Sequence, residues 1–341
     1  LAENDEEALA LAGSGKIKYE PCHHHNAVGP MTGVTSYSMP MICVLNKENG
    51  NYAYSTINEG TGKGIRFGSC GQDTVDQLVW LEKVLGPALK DVVHTMGGIN
   101  LKMIISQALA MGDELHMRNN AATNLFVKTI AETLCEVVES RAALTQIMHF
   151  LTWNNDQFFL NFAMAANKAC ADAAHGIEHS TMVTAMARNG VNIGIRVSGL
   201  GDRWFTAPAA DVAGAYFPGY SAEDAIMETG GIGGMAIATA PAIVRFLGAG
   251  KYQDAVNYTN NMYEITLSEQ DQYAMPDMDF RGSPIGIDIL KVVETGISPI
   301  INTAIACKRP GVGMIGAGIS KAPLEMFEEA MVAFGEAHGL Q

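Results

Sequence analysis

The sequence predicts an α+β fold, with β-rich outer regions around a helical middle domain. Asn-Gly pairs between apolar runs near both ends predict β-hairpins in those regions. Between them, from Asp73 to about His175, apolar residues recur with the period of a helix. Strands and helices do not alternate regularly, which disfavours a parallel α/β sheet. We therefore expect three parts, at residues 1–72, 73–179 and 180–341.

The first part is predicted to contain one helix and three short strands. An acidic segment stops at Gly13, as helices often do, and Asn49-Gly50 separates two apolar runs in the manner of a hairpin. The expected elements are a helix over 1–12, a strand over 16–20 and hairpin strands over 41–46 and 52–57.

The middle part is predicted to be entirely helical. Thr74 and Gln77 have the spacing of a capping box, which predicts the start of the first helix. Gly97-Gly98 follows the last apolar residue at helical spacing and predicts its end. Pro87 falls inside this predicted helix and should bend or split it, because proline has no N–H to donate to the backbone of the preceding turn. The expected helices cover 74–96, 100–118, 122–139, 142–153 and 157–175.

The last part is predicted to return to mixed structure. Asn189-Gly190 indicates a second hairpin, in which Arg196 faces away from Ile195 and Val197. Gly311–Gly316 matches G-x-G-x-x-G, but too little chain follows for a βαβ unit, so we expect a tight turn and no dinucleotide site. The expected elements are strands over 181–187, 191–197 and 299–307, and helices over 235–247, 252–267, 287–294 and 323–336.

The glycine-rich segment Glu228–Gly234 precedes one of these helices and fits two explanations. Free N–H groups at the start of a helix favour an anion, so the segment could bind one. Close packing of the backbone against another element explains the same glycines without a ligand. The sequence leaves both explanations open.

Composition narrows the class of function. Apolar residues make up 48% of the chain and charged residues 17%, so a large core can form, and other subunits or the chain itself are expected to cover much of the surface. A net charge of −14 argues against nucleic acid and anionic membranes as partners. An anionic substrate must instead meet a local group of cations and backbone N–H groups. Six cysteines without a C-x-x-C pair indicate free thiols and a cytoplasmic protein, and no apolar run is long enough to span a membrane.

The most distinctive stretch for chemistry is Tyr19–Gly33, which holds His23, His24 and His25 between a proline and a Gly/Pro-rich turn. Three adjacent imidazoles make a poor core, because each ring has two nitrogens that need partners when buried. We interpret the stretch as a site loop, with Asn26 at its end. A surface loop without a ligand is the alternative, and a metal site on the three histidines is a weaker one.

Two glycine-containing segments have the residue types of an anion site. The first, Asn58–Arg66, combines three glycines with Lys63 and Arg66, and it can cradle phosphate or form a plain turn. The second, Ser198–Trp204, includes Arg203, whose guanidinium can hold a carboxylate or pair with the adjacent tryptophan ring.

A third segment, Met111–Asn120, contains acidic and basic groups at helical spacing. Asp113 and His116 are three residues apart and share a face if the segment is helical, while Glu114 and Arg118 are four apart and can pair. The segment therefore predicts a surface ion pair with a solvated histidine, an acid–histidine pair that acts on a substrate, or ligands that complete a metal site with His23 and His24.

Eight segments, in order along nearly the whole chain, carry a resemblance to a known family. They are HHHNAVGPMTGVTSYSMPM (23–41), NEG (58–60), MGDE (111–114), DQFFLN (156–161), IRVSGLG (195–201), RWFTAP (203–208), VETGI (293–297) and IGAG (315–318). On these motifs the chain is similar to the AllG (YlbE-like) family, the middle subunit of bacterial oxamate carbamoyltransferase. Members of this family have a further N-terminal segment, so we expect this chain, which opens at Leu1, to lack it.

The resemblance implies an activity and partners. The implied reaction converts oxalurate and phosphate to oxamate and carbamoyl phosphate during anaerobic allantoin breakdown, in a complex with an FdrA-like large subunit and a smaller subunit. It implies no cofactor, and we also consider a homo-oligomer. Two alternatives are a structural or regulatory subunit without catalytic groups and a stand-alone metal-dependent amidohydrolase.

Carbamoyl transfer needs a group that carries a proton, donors for the carbonyl oxygen and cations for two anions. We expect His23 or His24 to carry the proton or polarise the carbonyl, Asp113 to orient a histidine, and the Lys63 segment to hold phosphate. The predicted catalytic residues are His23, His24, Asp113 and His116, and the predicted substrate-binding residues are Asn26, Asn58, Glu59, Gly60, Lys63, Arg66, Arg196, Gly199 and Arg203.

Overall fold

The computed structural model describes residues 2–29, 33–58, 71–188, 192–208, 219–221, 225–307 and 314–339. The fold is α+β, as predicted. The α-helices are α1 (Asp5–Gly13), α2 (Gln72–Trp80), α3 (Gly86–Met96), α4 (Leu101–Ala110), α5 (Asn120–Val137), α6 (Arg141–His149), α7 (Leu160–Ala173), α8 (Ile226–Thr229), α9 (Tyr252–Glu264), α10 (Ile289–Thr295) and α11 (Leu324–Ala337). The strands are β1 (Ala27–Val28), β2 (Met41–Leu45), β3 (Tyr52–Thr56), β4 (Val183–Arg188), β5 (Asn192–Val197), β6 (Trp204–Pro208), β7 (Gly219–Ser221), β8 (Thr266–Met275), β9 (Arg281–Ile287), β10 (Ile300–Cys307) and β11 (Met314–Lys321).

The strands of the described residues form several small sheets. Their orders are β1-β3-β2, β4-β5-β6, β11-β10-β7 and the pair β8-β9. Strands β1 and β3 are parallel, with Ala27 opposite Tyr54, and the other pairs are antiparallel. The β1–β3 pairing places the histidine loop beside the first hairpin.

Most elements of the N-terminal part are confirmed. Helix α1 begins after Asn4, whose side chain accepts a hydrogen bond from the N–H of Glu7. Strands β2 and β3 form the predicted hairpin, and Gly50 in its turn has a φ of +73°, which glycine adopts without strain. The strand predicted over 16–20 is wrong, because that segment lies largely exposed and pairs with no strand in the described part of the chain.

The helical middle part is confirmed, with changes at the helix ends. A π-helical turn, Leu81–Leu85, joins α2 to α3, and Pro87, which has no N–H to donate to the preceding turn, is the second residue of α3. The predicted interruption at this proline is therefore a π-helical turn. The helix predicted over 100–118 ends at Ala110, because the chain turns at Gly112 (φ +92°) and Leu115 (φ +69°).

Helix α7 is buried on nearly every side. It packs against β2 and β3 on one side and against α8 and β4 on the other. Helices that are apolar all round are typical of such central positions. The few polar residues of α7, including Asn167, Lys168 and Asp172, therefore have to find partners inside the protein.

The C-terminal part contains the predicted elements and several more. Strands β4 and β5 pair as expected, although the Asn189-Gly190 turn lies outside the described residues. Strands β10 and β11 form an antiparallel hairpin, so the G-x-G-x-x-G match, of which 311–313 lie outside the described residues, belongs to no βαβ unit. The helix predicted over 235–247 is wrong, since Gly233–Thr239 forms 3-10 turns with a kink at Ala236 and turns follow. The helix predicted to reach 267 ends at Glu264, where strand β8 begins two residues later.

Two large apolar clusters form most of the core. The first joins α3 to α7 with the N-terminal sheet, and the second packs α10 and α11 against the β4-β5-β6 sheet. The division into three parts at 72 and 179 stays a prediction. No helix in the described ranges combines the length and apolar content that a membrane crossing needs.

Candidate functional site

The three histidines lie on one tight turn. Residues Cys22–His25 form a single 3-10 turn after Pro21, and Asn26, with a φ of +53°, returns its N–H to the carbonyl of Cys22 and ends the turn. The turn directs the three rings differently. His23 is buried, with 5% of its surface exposed, His24 is exposed, and His25 pairs with Glu20 at 2.6 Å on the surface.

The turn packs on Trp204, the first residue of β6. The His23 and Trp204 ring centroids lie 5.5 Å apart in an edge-to-face arrangement, and those of His24 and Trp204 lie 6.4 Å apart. Aromatic rings at such distances attract one another and hold each other in place. The structure thus brings the histidine loop to Arg203-Trp204, two segments that the sequence singled out independently.

Arg196 belongs to the same face of the β4-β5-β6 sheet. It lies directly opposite Trp204 in the β5–β6 pairing, and directly opposed side chains of paired strands share a face. Gly194, two residues before Arg196, provides the space for the indole, because a Cβ there would lie 3.3 Å from Trp204 Cε3 and 3.0 Å from the Thr206 methyl group. The absence of a side chain at Gly194 therefore leaves room for the indole to lie over the strand.

A buried ion-pair cluster extends from Arg196 to α7. The guanidinium contacts Asp172 at 2.5 Å, and the ammonium of the fully buried Lys168 lies 2.7 Å from the same carboxylate. His175 bridges to the hydroxyl of Thr184 at 3.1 Å from its Nδ1. Two cations thus contact the partly buried carboxylate of Asp172, and the exposed carboxylate of Asp202 lies 4.0 Å from Arg196.

His175 and Arg196 influence one another electrostatically. The second ring nitrogen of His175, Nε2, lies 3.3 Å from the exposed carboxylate of Asp202. Burial lowers the pKa of His175, and the charge of Arg196 lowers it further. The neutral imidazole is therefore favoured beside the Arg196–Lys168 pair.

The sequence interpretation missed Lys168, Asp172 and His175. Lys168 and Asp172 are four residues apart on α7, a spacing that forms an ion pair on a helix. These two charges stand in a helix that is otherwise mostly apolar. Because a buried charge requires a partner, their spacing could have indicated a buried ion pair.

Two other predicted residues of this region have defined surroundings. Arg203 is exposed, with its guanidinium carbon 4.6 Å from the centroid of the Phe205 ring, which lies on the opposite face of β6 from Trp204. The N–H of Gly199 donates to the carbonyl of Ser180 at 2.9 Å. A Cβ on Gly199 would also lie 2.8 Å from that carbonyl oxygen, so this glycine serves close packing here.

The Asp113–Arg118 segment forms a second, deeply buried polar cluster. It is not helical, so the prediction that Asp113 and His116 share a helix face is wrong. Asp113 pairs with Arg118 and accepts a hydrogen bond from the N–H of Ala122 at 2.8 Å. Glu114 accepts four N–H groups on its two oxygens, from His116, Met117, Arg118 and Asn302.

His116 is joined to Glu228 of α8. Its Nδ1 lies 2.7 Å from Glu228 Oε1, and that oxygen also accepts the N–H groups of Gly234 and Asn302. Burial raises the pKa of Glu114 to about 7 and that of Asp113 to about 6, against the hydrogen bonds that favour the charged forms. His116 therefore has Glu228 as its carboxylate partner, and Asp113 has Arg118.

Close packing explains the glycines of the Glu228–Gly234 segment. A Cβ on Gly230 would lie 1.8 Å from Asn167 Oδ1, and one on Gly234 would lie 2.1 Å from the carbonyl oxygen of Ile300. The N–H of Gly234 is already bound to Glu228. Of the two explanations that the sequence left open, the geometry supports packing.

The remaining predicted residues lie apart from these clusters or outside the described ranges. Asn26 is exposed, and Asn58 is buried at the end of β3 with no hydrogen-bond partner for its side-chain amide among the described residues. Glu59, Gly60, Lys63 and Arg66 lie outside the described residues. Within the described part of the chain, no three or more His, Cys, Asp or Glu side chains are grouped as metal ligands would be, His23, His24 and His25 included.

Comparisons of the sequence and the structure with known proteins identify the family of this chain. Residues 17–231 match the family model described as oxamate carbamoyltransferase subunit AllG. The Escherichia coli K12 protein named oxamate carbamoyltransferase subunit AllG is 45% identical over 348 residues, which cover 99% of this chain and 83% of the relative. The protein YahG of the same organism is 46% identical over 348 residues, which cover 100% of this chain and 73% of YahG. A crystal structure of a conserved protein of unknown function from Enterococcus faecalis V583 matches with a TM-score of 0.92 at 45% identity, over 98% of this chain and 81% of that one. Sequence and structure agree along the whole chain, and the protein belongs to the AllG family.

Proposed function

We propose that this chain is a subunit of a carbamoyltransferase that converts oxalurate and phosphate to oxamate and carbamoyl phosphate in allantoin breakdown. Membership of the AllG family supports the reaction class. The observation that carries the proposal is the contact of His23 and His24 with Trp204, which lies opposite Arg196. Imidazole and guanidinium groups are the types that transfer between two anions requires.

The reaction exchanges one bond at the carbamoyl carbon. An oxygen of phosphate bonds to the terminal carbamoyl carbon of oxalurate, and the bond from that carbon to the inner nitrogen breaks. Phosphate gives up one proton and the departing oxamate nitrogen gains one, so the sum is oxamate and carbamoyl phosphate. One group that accepts and then donates a proton is therefore sufficient for the acid–base chemistry.

We assign the proton transfer to His24. Its ring is exposed at the Trp204 surface, whereas His23 is buried under it, so His24 can meet a substrate that approaches from solvent. His23 then positions the loop through its ring contact with Trp204. His25 is paired with Glu20 and has no assigned role.

Arginines on β5 and just before β6 would hold the anionic groups. Arg203 is exposed and can bind the oxamate carboxylate with its planar guanidinium group. Arg196, held by Asp172, adds positive charge on the Trp204 side of the sheet. Phosphate is assigned to Lys63, Arg66 and the N–H groups of Gly60 and its neighbours. Asn26, Asn58, Glu59 and Gly199 stay proposed substrate contacts or supports of these loops.

The buried Asp113 and His116 have a supporting role in this proposal. Both side chains are almost fully buried and bound to Arg118 and Glu228, respectively. They would fix the chain around residues 111–119 and not touch the substrate.

Two other subunits complete the proposed enzyme, an FdrA-like large subunit and a smaller one. The E. coli relative is named as a subunit, which supports a multisubunit assembly. If the partners hold every catalytic group, this chain would instead be a structural or regulatory subunit.

The test is the turnover of a complex reconstituted from the three subunits. Replacing His24 with alanine should lower turnover by about 100-fold or more, the usual contribution of a positioned acid–base group, while the complex still assembles. His94→Ala, at an exposed position of α3, is the matched control and should leave turnover unchanged. Normal turnover of the His24→Ala complex would exclude the acid–base role, and normal turnover after Arg203→Ala as well would favour the structural alternative.

A further inference from the structure

One exposed surface of the protein, on the first hairpin, is apolar. Strand β2 alternates, so that Ile42 is buried while Met41, Cys43 and Leu45 point outward and are exposed. Tyr52 lies opposite Leu45 on the same face of the sheet and is 48% exposed. We call Met41, Cys43, Leu45 and Tyr52 the β2 surface. Adjacent exposed apolar side chains of this kind mark a contact surface.

The backbone of the same strand also lacks partners along one edge. The N–H of Tyr54 donates to Asn26 on the far side of β3, so Tyr54 and the opposed Cys43 form a non-hydrogen-bonded pair. The N–H and C=O of Cys43 therefore point to the open edge of the sheet. Backbone groups alternate along a strand, so the N–H and C=O of Met41 and Leu45 also point to the open edge.

This edge is open in the described part of the chain. Strand β2 is the last strand of its sheet, and no hydrogen bond from another described residue reaches the backbone groups of Met41, Cys43 or Leu45 there. Proteins usually protect such an edge with charged side chains, proline or a bulge, and β2 has none of these. The strand is therefore suited to pair with another strand.

We propose that two copies of this chain pair through β2, antiparallel and about a two-fold axis at Cys43. The axis at the middle residue places Met41 opposite the partner's Leu45, so the exposed side chains of both strands match. One sheet then runs through both copies. The pairing uses the open backbone groups and covers the apolar side chains at the same time.

Charge favours a second copy at this place. Each chain has a net charge of −14, so two copies repel each other over most of their surfaces. The segments Asn26–Asn46 and Gly50–Asn58, which form this sheet, contain no charged residue. The β2 surface is thus a neutral area through which two acidic chains can meet without opposing like charges.

The first test is the mass of the purified chain in solution. Light scattering or sedimentation at micromolar concentration should give the mass of a dimer. Met41→Lys, which brings a charge to the edge on each copy, should raise the dissociation constant at least about tenfold and yield monomer. Val332→Lys is the matched control, because Val332 is 63% exposed on α11 and far from this strand in sequence, and it should leave the dimer intact.

The second test uses the free thiol at the axis. Opposed residues that exchange hydrogen bonds have Cα atoms about 5.5 Å apart, which lies within the range of a disulfide. Mild oxidation should therefore join the two copies through Cys43, and Cys43→Ser should abolish the covalent dimer. Cys135→Ser and Cys170→Ser, at two other exposed free cysteines, should not.

Either of two results would overturn the proposal. One is a monomeric wild-type chain, including one whose β2 variants lose binding to another subunit of the enzyme. The other is a dimer that Met41→Lys leaves intact and that oxidation joins equally well after Cys43→Ser. Neither test depends on the proposed reaction, so the two proposals can fail separately.

Discussion

Gly230 is the position at which the packing explanation of the glycine-rich segment can be tested most directly. A Cβ added there would lie 1.8 Å from Asn167 Oδ1, 2.2 Å from its Cγ and 2.8 Å from its Cβ. Alanine itself is not strained at this position, because Gly230 has a φ of −86°. The effect of Gly230→Ala would therefore come from the collision with one side chain.

The size of the effect follows from how little Asn167 can move. It is 3% exposed on the central helix α7, and its Nδ2 lies 3.6 Å from the sulfur of Met227. Overpacking of a tight core costs about 1–3 kcal/mol, and displacing the amide loses its interactions as well. We expect Gly230→Ala to lower the free energy of unfolding by about 3 kcal/mol.

A double-mutant cycle with Asn167→Ala isolates this contact. Urea denaturation of the four proteins should show that Gly230→Ala costs about 1 kcal/mol once the Asn167 amide is gone, because only the 2.8 Å contact with the Cβ of residue 167 remains, a coupling of about 2 kcal/mol. Gly13→Ala is the control, because a Cβ at Gly13 meets nothing within 4 Å. An equal cost of Gly230→Ala in both backgrounds would refute the collision, and a cost near zero would reopen the anion-binding explanation.

Two further predictions concern pH and the Trp204 face. Burial raises the pKa of Glu114 from 4.5 to about 7, so its contribution to stability is full below pH 4.5 and is lost as the pH rises through 7. The titration of Glu114 should lower the free energy of unfolding by about 3 kcal/mol over that interval. This part of the fall should disappear in Glu114→Gln and persist in Glu132→Gln, an exposed control on α5, while the part due to Asp113, whose pKa burial raises to about 6, should remain in both. Gly194→Ala should shift the indole of Trp204 by a few tenths of an ångström and cost about 1 kcal/mol, with a changed tryptophan emission in a variant that retains Trp204 alone. An unchanged emission would show that Gly194 does not set the position of the ring.

Local patterns predicted the elements whose signals are contained within a few residues. The β2–β3 hairpin follows from Asn49-Gly50, and the helices around α5 follow from an uninterrupted apolar period. The same reasoning failed for the segment after Ala110, which was predicted to be helical and is not. Its apolar spacing is helical, but buried partners distant in sequence, such as Asn302 and Glu228, satisfy its polar groups better than a helix would.

The candidate site shows the same limit. The residue types of the histidine loop and of Arg203-Trp204 were visible in the sequence, but their contact depends on the β5–β6 pairing, which no local pattern encodes. Strand β6 itself was missed, because its short run of residues has no turn signal on its C-terminal side. Motifs thus indicated which groups matter, and only the tertiary structure indicated which of them meet.

The distribution of buried charge explains how an acidic protein can receive an anion. In the cluster around Glu114, each carboxylate is compensated locally, by four N–H groups on Glu114, by Arg118 beside Asp113, and by His116 and two N–H groups on Glu228. Near Arg196 two cations, Lys168 and Arg196, contact the carboxylate of Asp172, and the exposed carboxylate of Asp202 lies 4.0 Å from Arg196. A charge acts more strongly where water is excluded, so the buried Lys168 and Arg196 should act on the Trp204 face more strongly than the exposed Asp202 and other surface carboxylates that solvent screens. The Trp204 face should therefore attract a small anion despite the net charge of −14, and Lys168→Met should weaken phosphate or oxamate binding there even though Lys168 itself is buried.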